Sequence, residues 1–128
     1  MAEQVDALHA LGGTIVDSAL RVHKELGPGL LESVYEHCLA HELNKRGIEF
    51  KRQASVPVHY DGETLDAGLR LDLLVNDSIV VEIKAVEKII PVHEAQLLTY
   101  LKLAHKPMGF LINFNVRLLK DGIRRYVL

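Results

Sequence analysis

Leu69-Arg70-Leu71-Asp72-Leu73-Leu74-Val75 and Ile79-Val80-Val81-Glu82-Ile83-Lys84-Ala85, joined by Asn76-Asp77-Ser78, read as two strands around a three-residue loop. Successive strand side chains point to opposite faces. With Val75 facing Ile79, Asp72 falls opposite Glu82, and directly opposed residues share a face. One face then carries Leu69, Leu71, Leu73, Val75, Ile79, Val81, Ile83 and Ala85, every one apolar. The other carries Arg70, Asp72, Leu74, Val80, Glu82 and Lys84. A two-residue loop would set Asp72 against Ile83 and mix charge into the apolar face, so the period-2 pattern selects the first register.

That register holds two carboxylates within about 5 Å of each other, which is unfavourable unless a cation or a proton relieves them. Leu74 and Val80 make the charged face partly apolar, so it is expected to be covered by another element. Two acids, a lysine and a half-covered surface suit a hard cation, because Mg²⁺ takes oxygen ligands and only one or two of them need be carboxylates. The alternative is a solvated hairpin face on which Lys84 pairs with Asp72 or Glu82.

Outward from the hairpin, the period of the apolar residues changes. Val5, Leu8, Ile15, Ala19, Val22 and Leu26 recur at helical spacings, weakened at Gly12-Gly13 and stopped by Gly27-Pro28-Gly29. Leu31, Val34, Tyr35, Cys38, Leu39 and Leu43 predict a second helix over about 30–46, ended by Gly47. Residues 48–60 are β-like before the Asp61-Gly62 turn. Beyond the central hairpin, Pro91 precedes a helix over about 92–105, and Pro107 closes it. Residues 108–114 form an apolar run suited to a central strand, and 123–128 a short last strand. The order α-α-β-β-β-α-β-β predicts an α/β (α+β) fold, a mixed sheet flanked by helices, in a single domain over residues 1–128.

The chain of 128 residues has a formal net charge of −2, so no global basic field attracts nucleic acid and any such binding needs a local patch. Cys38 is the single cysteine, which excludes an internal disulfide, and its place on an apolar stripe suits an inert thiol. No run approaches the ~18 apolar residues of a membrane span. The acidic start, Met1 to Asp6, does not resemble a secretory signal. A cytoplasmic protein without membrane attachment is expected.

Asp72 followed by Glu82-Ile83-Lys84 resembles the Asp…Glu-x-Lys signature of the PD-(D/E)XK nuclease superfamily, with Leu71 where the name has Pro. Gly29-Leu30-Leu31-Glu32-Ser33-Val34-Tyr35 resembles the G-x-x-E-x-x-Y motif of the GxxExxY protein family. The segments 91–101 and 111–114 look like later blocks of the same family, and Gln96-x-x-x-Tyr100 resembles a motif of the superfamily's RecB-like branch. The resemblance implies a restriction-endonuclease-like core and a Mg²⁺- or Mn²⁺-dependent nuclease. In that picture Asp72, Glu82, the Ile83 carbonyl and Glu32 hold the metal, Lys84 is catalytic, and Gln96 and Tyr100 line the site. Nucleic acid is the implied partner, DNA ahead of RNA, with Arg70, Lys88, Lys102 and Lys106 as candidate phosphate contacts.

Each of these residues also has a plainer reading. Glu32 could complement the helix macrodipole, Tyr35 could be packing with a bonded hydroxyl, and Gln96 could be exposed beside a core Tyr100. His93 could add a ligand, but a lone His is more often a cap or rim residue. The rival function is a non-catalytic adaptor that keeps the nuclease fold and binds nucleic acid or protein, with a homo-oligomer or a protein partner as further expectations.

Overall fold

A computed structural model of the chain describes residues 2–128. The expected order is found: α1 (Ala2–Leu26), α2 (Glu32–Lys45), β1 (Phe50–Tyr60), β2 (Glu63–Val75), β3 (Ile79–Lys84), α3 (Pro91–Ala104), β4 (Met108–Asn113), a 3₁₀ turn (Leu119–Gly122) and β5 (Ile123–Val127). The strands form one sheet in the order β1-β2-β3-β4-β5. All neighbours are antiparallel except β3 and β4, which run parallel and are joined through α3, the long crossover that a parallel pair needs. Among the described residues no helix is long and apolar enough to cross a membrane.

The helices cover both faces of the sheet. Ile15, Ala19 and Val22 of α1 and Tyr35, Leu39 and Leu43 of α2 pack with Leu73, Val81, Ile83, Phe110 and Ile112. On the other face Leu97 and Leu101 of α3 pack with Leu74, Val80 and Leu111. Every residue of β4 is buried, which is why its sequence is continuously apolar rather than alternating. Helix α1 runs unbroken through Gly12-Gly13. A Cβ on Gly12 would lie 3.1 Å from Phe110 and 3.2 Å from Met108, so the glycine that weakens the helix locally also brings it close to β4.

Tyr35 anchors the link between the first two helices. Its ring stacks on Phe114 at 4.5 Å. Its hydroxyl donates to the Gly27 carbonyl at 2.6 Å and accepts from the Leu30 amide at 3.1 Å. The packing role with a bonded hydroxyl is therefore what the structure has. Tyr35→Phe keeps the stack and strands both backbone groups of the loop. Urea melts are expected to show a loss of ~1–3 kcal/mol; an unchanged midpoint would mean that the loop satisfies itself.

The central hairpin has the expected register: Val75 pairs with Ile79, Leu74 with Val80 and Leu73 with Val81. One residue departs from expectation. Leu71 is fully buried, but with Ala54, Leu74, Leu97 and Leu101 on the α3 side, not beside Leu73. The β1–β2 ladder pairs Arg52 with Leu73 and Ala54 with Leu71, and Gln53 between them has φ +48. That left-handed residue interrupts the alternation, so the strands change faces across the Gln53–Asp72 level. A second difference is that β2 begins at Glu63, well before Leu69. Its first half pairs with the far end of β1 across a register shift at Pro57, where a missing N–H removes a ladder bond. Residues 59–68 of this ribbon are exposed throughout.

Candidate functional site

Regular pairing between β2 and β3 stops at Leu73 and Val81, one step short of the opposed acids. There the side chains take over from the backbone. The Asp72 amide donates to Glu82 Oε2 at 2.9 Å, and the Ile83 amide donates to Asp72 Oδ2 at 2.8 Å. Each carboxylate thus uses one oxygen to satisfy an amide of the opposite strand. The second oxygen of Asp72, Oδ1, receives only a long contact, 3.5 Å, from the Gln53 amide.

Glu82 is 6% exposed and Asp72 is half-buried. Burial raises the Glu82 carboxyl to about 8, the negative charge of Asp72 adds to the shift, and the Asp72 amide and Lys84 work against it. Lys84, next but one after Glu82, is partly exposed, and no salt bridge among the described residues ties it to either acid. The solvated ion pair considered from sequence is therefore not what is found. The end of β3 is pinned instead by buried Asn113. Its side chain bonds both the amide (3.1 Å) and the carbonyl (2.9 Å) of Val86, while the Phe114 amide donates to the Lys84 carbonyl at 2.9 Å.

Gln96 and Tyr100 meet one turn apart on α3, with the Gln96 amide donating to the Tyr100 hydroxyl at 3.0 Å. Tyr100 has its hydroxyl pKa raised by burial first and then by the charge of Glu82 and, more weakly, of Asp72. The Tyr100 hydroxyl thus feels the charge of both acids, and the exposed Gln96 is joined to it by that hydrogen bond. His93 is the cap: its Nδ1 accepts the Ile90 amide at 3.1 Å. Its neighbour Glu94 takes Arg124 at 2.6 Å and the Tyr126 hydroxyl, which together hold its carboxyl below the usual range, the hydroxyl contributing most.

Glu32 is exposed in the first turn of α2. The acid of this helix that connects to the hairpin, by way of β1, is Glu36, one turn further on and 8% exposed. It accepts from Arg52 Nε at 3.1 Å and from Gln53 Nε2 at 2.6 Å, and Gln53 in turn touches Asp72. The signal for Glu36 was present in the sequence: it lies three, four and seven residues before Leu39, Ala40 and Leu43, on the stripe that is buried. Of the candidate phosphate contacts, Arg70, Lys88 and Lys102 are exposed, whereas Lys106 pairs with Asp77 of the hairpin loop at 3.0 Å. A cavity of about 580 Å³ is lined by Lys51, Leu74, Asn76 and Asp77 and includes neither acid.

Among the described residues no group of three or more His, Cys, Asp or Glu side chains is placed to hold a metal ion. The two adjacent carboxylates nonetheless supply the hard oxygen donors that Mg²⁺ or Mn²⁺ takes, and such sites complete the shell with water and substrate oxygens. Residues 9–126 match the PD-(D/E)XK nuclease superfamily. No curated protein and no solved structure matches the chain.

Proposed function

Because the chain belongs to the PD-(D/E)XK nuclease superfamily, we propose that it is a Mg²⁺- or Mn²⁺-dependent nuclease that hydrolyses nucleic-acid phosphodiesters, DNA in preference to RNA. The finer placement in the GxxExxY family and the RecB-like branch belongs to the same proposal. The observation that carries it is the break in the hairpin at Asp72 and Glu82, where two acids lie side by side at the partly open edge of a buried face.

Asp72, Glu82 and the Ile83 carbonyl would hold the ion, with Glu32 as the further acid that the family motif adds and Glu36 linked to Asp72 through Gln53. When bound, the metal polarises a phosphate oxygen and lowers the pKa of a water. Lys84 orients that water and offsets charge developing on the phosphate oxygens. The Gln96–Tyr100 pair, braced by its own hydrogen bond, gives α3 a donor with which to position the backbone or Glu82. Arg70, Lys88 and Lys102 supply local positive charge to a chain that is acidic overall.

The adaptor reading rests on a different observation, that both acids already satisfy backbone amides and so have structural work without a metal. The two readings part on Lys84→Ala. Plasmid nicking in Mn²⁺ is expected for the wild type and not in EDTA, with the variant ~10²–10³-fold slower and its Mn²⁺ affinity by calorimetry little changed. A single-stranded RNA substrate in parallel tests the preference for DNA. A wild type that neither binds Mn²⁺ nor nicks would leave the adaptor as the better account.

A further inference from the structure

Among the described residues five other than glycine have positive φ, and four of them stand where such a backbone is routine: Asp61, Asn76 and Asp77 in hairpin turns and His105 at the end of α3. Gln53, φ +48, is inside a strand. Glutamine is not among the side chains that favour this region, so a left-handed Gln persists only where its surroundings hold it there. The strain has a visible product. In a regular strand Arg52 and Gln53 would point to opposite faces. Here both donate to the one carboxylate of Glu36, Arg52 to Oε2 and Gln53 to Oε1. The same turn of the backbone brings the Gln53 amide to Asp72 Oδ1, whose other oxygen accepts the Ile83 amide.

We infer that Gln53 is a positioning residue for the site: fixed to Glu36 and turned out of the strand by its left-handed backbone, it holds the Asp72 carboxylate against the Ile83 amide. Arg52 and Glu36 form the base. Glu36 is buried, doubly bonded and charge-paired, so it is a fixed point from which one amide can reach. The long Gln53–Asp72 contact suits a restraint that a metal ion can displace, freeing Asp72 Oδ1 as a ligand while Oδ2 stays on the Ile83 amide. The inference rests on the proposal that Asp72 and Glu82 take a divalent cation, yet part of it can be tested without one.

Gln53→Gly removes the amide and relieves the left-handed backbone, while buried Glu36 loses one of its two donors and keeps Arg52. These changes oppose each other in stability, so the deciding readouts are the metal affinity and a single backbone amide. The variant's Mn²⁺ affinity by calorimetry is expected to fall ~10–100-fold, the range for lost outer-shell support. The Ile83 amide in metal-free protein should exchange about tenfold faster by NMR, since its acceptor is no longer held. Gln53→Asn is the second variant should the glycine chain not fold: Asn tolerates the same φ, and its amide falls one methylene short of the contact. Equal Mn²⁺ affinity in wild type and variant overturns the inference. If the wild type itself binds no Mn²⁺, the metal reading fails and the Ile83 amide decides the role of Gln53 alone: faster exchange in the variant sustains it, and unchanged exchange overturns it.

Discussion

Asp72→Asn is expected to slow metal-dependent cleavage by ~10³-fold or more, since a Lewis acid contributes several kcal/mol to the barrier, while leaving the metal-free protein at least as stable as the wild type. The substitution removes a metal ligand and a charge but keeps an acceptor for the Ile83 amide. Two carboxylates about 5 Å apart repel by roughly 3 kcal/mol at an effective dielectric of ~20, before proton uptake relieves them. Near neutral pH Glu82 already carries much of that relief as a bound proton, so the gain of the variant should grow above pH 8. Urea melts in EDTA at pH 7 and pH 9, with nicking assays in Mn²⁺, measure both effects. A variant that is clearly less stable at pH 9 would mean that the Asp72 charge is favourable where it lies, and the repulsion argument would be wrong.

The second large effect is on stability against pH. Glu82 titrates at about 8 in the folded protein against 4.5 for an ordinary glutamate. The folded state therefore binds one more proton than the unfolded state between those values, and stability falls as pH rises. The contribution is full below about pH 4.5 and gone above about pH 8. The slope approaches ~1.4 kcal/mol per pH unit at most, a few kcal/mol over the window. Metal competes for the same oxygen, so Mn²⁺ should raise the thermal midpoint more at pH 8 than at pH 5. Glu82→Gln should flatten the profile in EDTA and remove the metal effect. A wild-type stability that rises steadily from pH 5 to pH 8 would sink the claim that Glu82 is held protonated.

The element order and the hairpin register were legible because each alternative breaks a pattern. A helical period of three and four gives way to a period of two after Gly47, and a one-residue slip would bury Asp72 or Glu82 among leucines. Leu71 was misassigned for a physical reason. Alternation is a rule about regular strands, and the backbone of Gln53 that suspends it leaves no mark in composition, since glutamine is an ordinary strand-surface residue. The first half of β2, Glu63 to Gly68, was missed because it is exposed on both faces and has no apolar period. Glu36 escapes the reading for the opposite reason: it lies on the buried stripe, whereas the family motif points to Glu32. A charged residue on an apolar helical face is the better guide to a built site, because it persists there only with partners.

If the chain is the nuclease proposed, the bonds from Asp72 and Glu82 to the facing amides also bear on how such an activity would be lost over time. Replacing either acid by an apolar residue would leave an N–H of Ile83 or Asp72 without its acceptor, so the loss of chemistry would be coupled to a loss of fold. A descendant freed from cutting nucleic acid would therefore shed Lys84, which none of the salt bridges of the described residues engages, before it shed the acids. On the proposed function, the lysine, more than the carboxylates, would record whether selection for catalysis is still in force.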